Sequence, residues 1–262
     1  MTTAEFTPGW LELREPADIE ARDDTLLEPL RTHLPAGPLV IRDLGCGTGA
    51  NLRWLSGMLP GPQQWILHDR DPQLLARAAG GAAGAAAAET RLGDFTALRA
   101  ADLAGTSLVT ASAVLDILTG PELARLARAV AAAAVPALFT LTVAGEVDLA
   151  PAEPLDAPVA AAFNRHQHRG GRLGPDAATT AADALRAGGC TVHSGRSPWR
   201  LGPAHRGLAA QWLRGWCAAA AEEQPGLELD GYLRRRLDTC AAGNLRVIVH
   251  HVDLLALPGG VR

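Results

Sequence analysis

Val40-Ile41-Arg42-Asp43-Leu44-Gly45-Cys46-Gly47-Thr48-Gly49-Ala50-Asn51 is the stretch that decides the fold of this chain. A short apolar run has the composition of a buried parallel strand, three glycines follow at every second position, and a helical pattern starts at Asn51 and runs to Met58. Strand, tight turn and helix N-terminus therefore meet in one short segment. Glycine is needed in such a turn because the backbone takes unusual φ/ψ and a side chain would hold a ligand away, while the helix start offers free N–H groups. The expected occupant is nucleoside-like.

Two cofactor classes fit that turn. Gly45, Gly47 and Ala50 satisfy the G-x-G-x-x-G/A fingerprint of dinucleotide sites. Asp43 argues the other way: a carboxylate facing a pyrophosphate is repelled, whereas a ligand with an ammonium or sulfonium group is attracted. Asp43-x-Gly45-x-Gly47-x-Gly49 resembles motif I of the class I S-adenosylmethionine-dependent methyltransferases. The resemblance implies S-adenosyl-L-methionine as cofactor and puts Cys46 and Asn51, inside the motif, at its binding site.

Size and composition suit this reading. The chain has 262 residues, 48% hydrophobic and 20% charged, with a formal net charge of −4. That suits one large α/β domain with decoration. The acidic balance provides no basic footprint for nucleic acid, and Ser112-Ala113-Val114-Leu115 stands where enzymes that methylate planar base or amide nitrogens carry [ND]-P-P-[FYW], so a small-molecule substrate is the expected partner, with the protein acting as a monomer or homodimer. Cys46, Cys190, Cys217 and Cys240 are scattered without a C-x-x-C pair, as expected of reduced thiols in the cytoplasm. Met1 to Trp10 lacks the basic and apolar regions of a signal peptide, and no apolar run reaches membrane length. A cytoplasmic protein without membrane contact is expected.

Working outward, residues 1–37 form an N-terminal helical cap: Pro16 stands near the start of a pattern in which Ile19, Leu26, Leu27, Leu30 and Leu34 recur at helical spacing. The resemblance makes Trp10, Arg14 and Arg22 candidates for lining an acceptor pocket. From Pro38, strands are expected at 39–44, 64–69, 89–93, 106–112 and 137–144, and helices at 49–58, 71–79, 97–102 and 121–134. Gly80 to Ala88, rich in Ala and Gly, reads as a loose helix end and loop. Alternation of this kind predicts a doubly wound, mostly parallel sheet with helices on both faces, and a ligand beyond the carboxyl ends of the strands. The resemblance extends this to a seven-stranded sheet of order 3-2-1-4-5-7-6 with the last strand antiparallel. All of 1–262 is expected to be a single methyltransferase domain, with 38–144 binding the cofactor and 145–262 forming a C-terminal half that carries a helical insertion at about 203–242, between strands 6 and 7.

Asp69 ends the second strand, where a carboxylate can accept both ribose hydroxyls of either cofactor class; a helix-capping role is the plainer alternative. Asp69-Arg70-Asp71-Pro72-Gln73-Leu74-Leu75 also matches the family's D-x-[SD]-P-x-x-L continuation, which brings Arg70 to the site and makes Asp71 the cap of the next helix with Pro72 its first residue. Gly93-Asp94-Phe95 ends the third strand. The resemblance implies that Asp94 accepts from the adenine amino group and that Phe95 packs on the ring. Ser112 ends the fourth strand, beside the methionine and adenine portions, and Asp116 follows where the acceptor approaches, or else is a helix-start carboxylate favoured by the dipole.

Catalytic candidates are fewer. Residues 145–175 read as a largely irregular loop crossing the active-site mouth, and its His166 and His168, with Asp116, are candidate bases; the alternative is a solvated surface loop. No third ligand joins the two histidines, so no metal is expected. Trp199, Trp212 and Trp216 read as core. The resulting expectation is in-line methyl transfer to a small molecule. A nicotinamide oxidoreductase, without the antiparallel closing strand, and a fold relative that binds the cofactor without methylating remain the alternatives.

Overall fold

The computed structural model describes residues 7–81 and 87–259. The segment expected as a loop at 80–88 thus lies partly outside the described residues. The chain opens with two helices, α1 (Pro8–Ala21) and α2 (Leu27–His33), and then alternates: β1 (Leu39–Leu44), α3 (Ala50–Leu55), β2 (Gln63–Asp69), α4 (Pro72–Gly81), β3 (Ala87–Leu92), β4 (Leu108–Ser112), α5 (Gly120–Ala133) and β5 (Ala137–Ala150). There follow α6 (Asp156–Gln167), α7 (Ala177–Ala187), β6 (Thr191–Arg196), β7 (Trp199–Leu201), α8 (Arg206–Glu223), α9 (Leu229–Ala241) and β8 (Arg246–Leu257).

The sheet runs β3-β2-β1-β4-β5-β8-β6, and β7 adds an eighth strand beside β8. β1 to β5 pair in parallel, whereas β8 is antiparallel to β5, β6 and β7. This is the expected order with one strand more: Trp199-Arg200-Leu201 pairs with Val249, Ile248 and Val247. The antiparallel closure also departs from the all-parallel order expected of a nicotinamide enzyme.

Helices cover both faces, as amphipathic spacing requires. On one face α5 and α7 bury Leu123, Leu126, Val130, Ala181 and Leu185 against Val109, Ala111 and Phe139. On the other, α2 and α3 pack Leu27, Leu30, Leu52 and Leu55 on Ile41, Trp65 and Leu67. Several starts are capped by the residues that local chemistry selects. Asp71 Oδ1 accepts from the Gln73 and Leu74 backbone N–H groups at 2.7 and 3.3 Å, with Pro72 as first residue of α4. Thr119 and Glu122 form a capping box on α5.

Several expectations need correcting. The 97–102 helix is two short 3-10 turns, Phe95–Ala97 and Ala100–Leu103, because Arg99 between them is extended. The 145–175 segment is ordered: β5 runs on to Ala150, its far half pairing with β8 from Arg246 to Val249, and α6 follows. α1 begins at Pro8 and continues through Pro16, and Ile19 is exposed. Its buried face, Arg14, Ala17, Asp18 and Ala21, has helical spacing but contains charged residues, so α1 carries no apolar stripe.

The extended β5–β8 ladder carries a third core beyond the parallel sheet. There α1, α6, α8 and α9 enclose Trp199, Leu213, Trp216, Tyr232 and Val247. The gap between this layer and the carboxyl ends of the parallel strands holds the site. No helix among the described residues is long and apolar enough to cross a membrane.

Candidate active site

The glycine turn has the backbone its composition requires. Gly45, Gly47 and Gly49 have φ of 65°, 55° and 83°, and Gly49 is the left-handed N-cap of α3. A Cβ on Gly45 would lie 2.8 Å from Val114 Cγ1. Two carboxylates hold the turn in place. Asp69 accepts from the Gly47 N–H through Oδ2 at 2.8 Å and from the Asp71 N–H through Oδ1 at 2.9 Å. Asp43, fully buried, accepts from the Asn51 side-chain amide through Oδ1 at 3.0 Å, and that amide also donates to Thr110 Oγ1 at 2.8 Å. Asp43 Oδ2 has no partner. Burial pushes its carboxyl up to about 7, against the opposing pull of Asn51 and the Arg22 guanidinium.

A cleft of about 840 Å³ opens over this turn. Of the cofactor residues read from the sequence, Asp43, Gly45, Cys46, Gly47, Asn51, Asp69, Arg70, Gly93, Asp94, Phe95 and Ser112 line it; Gly49 acts one step back, shaping the helix start. Asp94 is exposed, accepts from the Thr96 N–H at 2.8 Å, and keeps its other oxygen for the cleft. The Cys46 thiol is buried, and burial raises its pKa, so it is a packing group here.

Of the three cap residues read from the sequence as candidates for the acceptor pocket, Arg22 lines this cleft instead. Arg22 is buried at the end of α1, stacks over Trp54 at 4.5 Å and donates from Nη2 to Ser112 Oγ at 3.2 Å. Its Nε and Nη1 have no partner, and the side chain lines the cleft. A buried guanidinium with free donors is costly unless an anion meets it.

A second cavity, about 310 Å³, lies beside the first. Arg14, Arg70, Ala113 and Ile117 line both and form their common wall. Ala113 sits there at φ 54°, an uncommon conformation for a residue with a side chain. The smaller cavity is lined by Trp10, Trp199, Trp212 and Phe163, and its polar groups include Asp116 and His251. Trp199 and Trp212, read from the sequence as core, thus also face a cavity, whereas Trp216 stays buried behind Trp212 at 5.0 Å.

The two candidate histidines point elsewhere. His166 Nε2 lies 3.3 Å from Glu222 Oε2 on α8, and His168 Nδ1 lies 3.4 Å from the Arg172 carbonyl. Neither lines either of these two cavities; α6 presents Phe163, Asn164 and Gln167 to the smaller one instead. Gly145, Glu146 and Arg172 of the same segment also line the smaller cavity, while helical winding turns the histidines toward Glu222 and Arg172. His251, which does face the cavity, was hidden in a strand whose alternation reads simply as core. Among the described residues no three His, Cys, Asp or Glu side chains cluster as metal ligands.

The sheet order, the glycine turn and the carboxylates at the ends of β1 and β2 define a class I, Rossmann-like methyltransferase fold. Residues 41–137 match the model of a family described as "Methyltransferase domain". The matching segment runs from within β1 to the start of β5, so the likeness to methyltransferases lies in the cofactor-binding half and in the fold. Similar solved structures include the cyclopropane synthase MmaA2 from Mycobacterium tuberculosis, with a TM-score of 0.53 at 13% identity over 96% of this chain and 95% of that one. A loganic acid methyltransferase with SAH is similar at 0.53 and 11%, over 95% of each chain. The mycolic acid cyclopropane synthase CmaA1, complexed with SAH and CTAB, is similar at 0.51 and 12%, over 97% of this chain and 95% of that one. At these identities the likeness is one of fold. Comparison with curated proteins finds no match.

Proposed function

We propose that this protein transfers a methyl group to a small-molecule acceptor held in the smaller, aromatic-lined cavity, while the larger cleft holds S-adenosyl-L-methionine. The single observation that carries this reading is the common wall of the two cavities, Arg14, Arg70, Ala113 and Ile117, which sets the smaller cavity beside the cleft over the glycine turn.

The cleft's free polar atoms fit an adenosyl amino acid. Asp43 Oδ2 suits an ammonium, and Arg22 Nε and Nη1 suit a carboxylate. Asp69 spends one lone pair of each oxygen on the turn, and a carboxylate has about four, so both oxygens retain capacity for ribose hydroxyls. Asp94 and Phe95 would meet the adenine. When bound, the cofactor supplies an electrophilic sulfonium methyl. The protein's part is to align the acceptor and keep water out, which positioning by rigid aromatic walls accomplishes. In this reading the helical cap, the cofactor-binding half and the C-terminal half work as one catalytic unit in the cytoplasm, on a substrate other than nucleic acid.

Calorimetric titration with S-adenosylmethionine, S-adenosylhomocysteine and NADH tests the cofactor assignment. Binding of the two adenosyl ligands, weakened by Asp69→Ala and Asp94→Ala, is the expected outcome; binding of NADH alone would sink it. Methyl transfer from radiolabelled cofactor to a library of small molecules then tests the acceptor class, and labelling of RNA or protein instead would refute it.

A further inference from the structure

Among the described residues, several buried side chains outside the cofactor cleft end in polar atoms without partners, and two of them, Asp116 and His251, line the smaller cavity. Asp116 is 9% exposed with Oδ1 unpaired, and His251 is 5% exposed with Nδ1 unpaired. They come from different elements: Asp116 from the turn after β4, His251 from β8, where it sits opposite Val143 of β5 and 5.2 Å from Trp199. Most of the other lining is apolar or aromatic. An unsatisfied buried polar atom costs free energy, and two in one cavity call for a ligand that satisfies both.

We propose, on the basis of the methyltransferase reading above, that the acceptor is a flat, apolar molecule bearing a neutral hydroxyl, which His251 positions and Asp116 deprotonates as its oxygen is methylated. With its hydrogen on Nδ1, the imidazole donates to the acceptor oxygen, while Asp116 Oδ1 accepts the hydroxyl proton. One donor and one acceptor on the protein match the one acceptor and one donor of an O–H group. A carboxylate acceptor has no proton to give and would face Asp116 as a like charge. An ammonium would meet the Arg14, Arg70 and Arg172 guanidiniums that line the same cavity, and Arg14 already covers the Trp199 face at 4.9 Å. In the transfer, an oxygen lone pair forms the O–CH₃ bond as the S–CH₃ bond breaks with its electron pair left on sulfur. The hydroxyl proton passes to Asp116 and then to solvent, giving a methyl ether and S-adenosylhomocysteine.

The surroundings suit these roles. Burial raises the Asp116 carboxyl, making it a stronger base, and its own backbone N–H, Arg14 and Arg172 temper the rise. Burial, with Arg14, pushes His251 down to about 3 against the opposing pull of the Ser197 and Val249 backbone, so the ring stays neutral and acts as a donor rather than a base. The other charged groups facing this cavity are Arg70 and Glu146; Asp18, which pairs with Arg14 at 2.9 Å, stands behind it.

The test uses the whole protein with S-adenosylmethionine and three probes of one skeleton: β-naphthol, β-naphthylamine and β-naphthoic acid. Methyl ether formed from the naphthol, with neither other probe methylated, is expected. Asp116→Asn should lower kcat about a hundredfold, and His251→Gln should raise KM for the naphthol about tenfold with a smaller change in kcat. Calorimetry with S-adenosylhomocysteine reports whether each variant is folded and cofactor-competent; an affinity unchanged in both is expected. Failure of the unaltered protein to bind S-adenosylhomocysteine would instead indict the underlying methyltransferase reading. Given that binding, the proposal is overturned if the naphthol neither quenches the cavity tryptophans nor is methylated, if it binds without forming ether, if the amine or acid is the methylated probe, or if Asp116→Asn keeps full turnover.

Discussion

Asn51 donates its side-chain amide to Asp43 at 3.0 Å across the glycine turn, and both residues are buried. The same amide reaches Thr110 on β4, whose hydroxyl donates to the Leu138 carbonyl at 3.0 Å. One side chain thus ties β1, the cofactor turn and β4 together. Replacing Asn51 by Ala leaves Asp43 without its neutral donor, and a loss of about 1–3 kcal/mol is expected. Urea denaturation followed by circular dichroism measures it; an unchanged midpoint would mean that water replaces the amide at no cost.

The Asp43 carboxyl, raised to about 7, gives the cofactor a pH dependence. Below that value Asp43 holds a proton that must leave before its oxygen can meet an ammonium. Affinity for S-adenosylhomocysteine should therefore rise from about pH 5.5 to 7.5, by at most tenfold per unit. The sign for stability is the reverse. The folded carboxyl binds its proton more tightly than the unfolded one, so this group's contribution to the ligand-free protein falls as pH rises from about 4 to 7. Asp43→Asn should flatten both profiles, as calorimetry and thermal melts across that range would reveal.

Arg22 separates the two ends of the cofactor. Substitution by Gln should weaken S-adenosylhomocysteine at least about tenfold, because a charge-assisted pair is lost, yet leave methylthioadenosine, which lacks the amino-acid moiety, nearly unaffected. Equal weakening of both ligands would assign Arg22 a purely structural role.

Gly45→Ala should disable the site by geometry alone. The new methyl would stand 2.8 Å from Val114 Cγ1 at a φ of 65°, so both contact and backbone conformation oppose it. A stability loss of about 1–3 kcal/mol is expected, together with loss of cofactor binding. Gly57→Ala, whose added Cβ meets nothing within 4 Å, is the control.

What the sequence determined by itself is the half of the protein where chemistry is local. The glycine turn, Asp43, Asp69 and Asp94 stand at the ends of β1, β2 and just past β3 because strand ends, turns and helix caps are set by neighbours a few residues away. Sheet order and the antiparallel closure followed from the family resemblance those residues carry. The acceptor cavity was not legible in that way. Its walls come from α1, the turn after β4, the bulged end of β5, α6, β7 and β8, distant segments that meet only in the folded chain. Strand pairing turns His251 inward, helical winding turns His166 outward toward Glu222, and a buried Arg14–Asp18 pair conceals α1 from any search for an apolar stripe. Side-chain direction at a given position depends on register and packing partners, and those are properties of the tertiary structure.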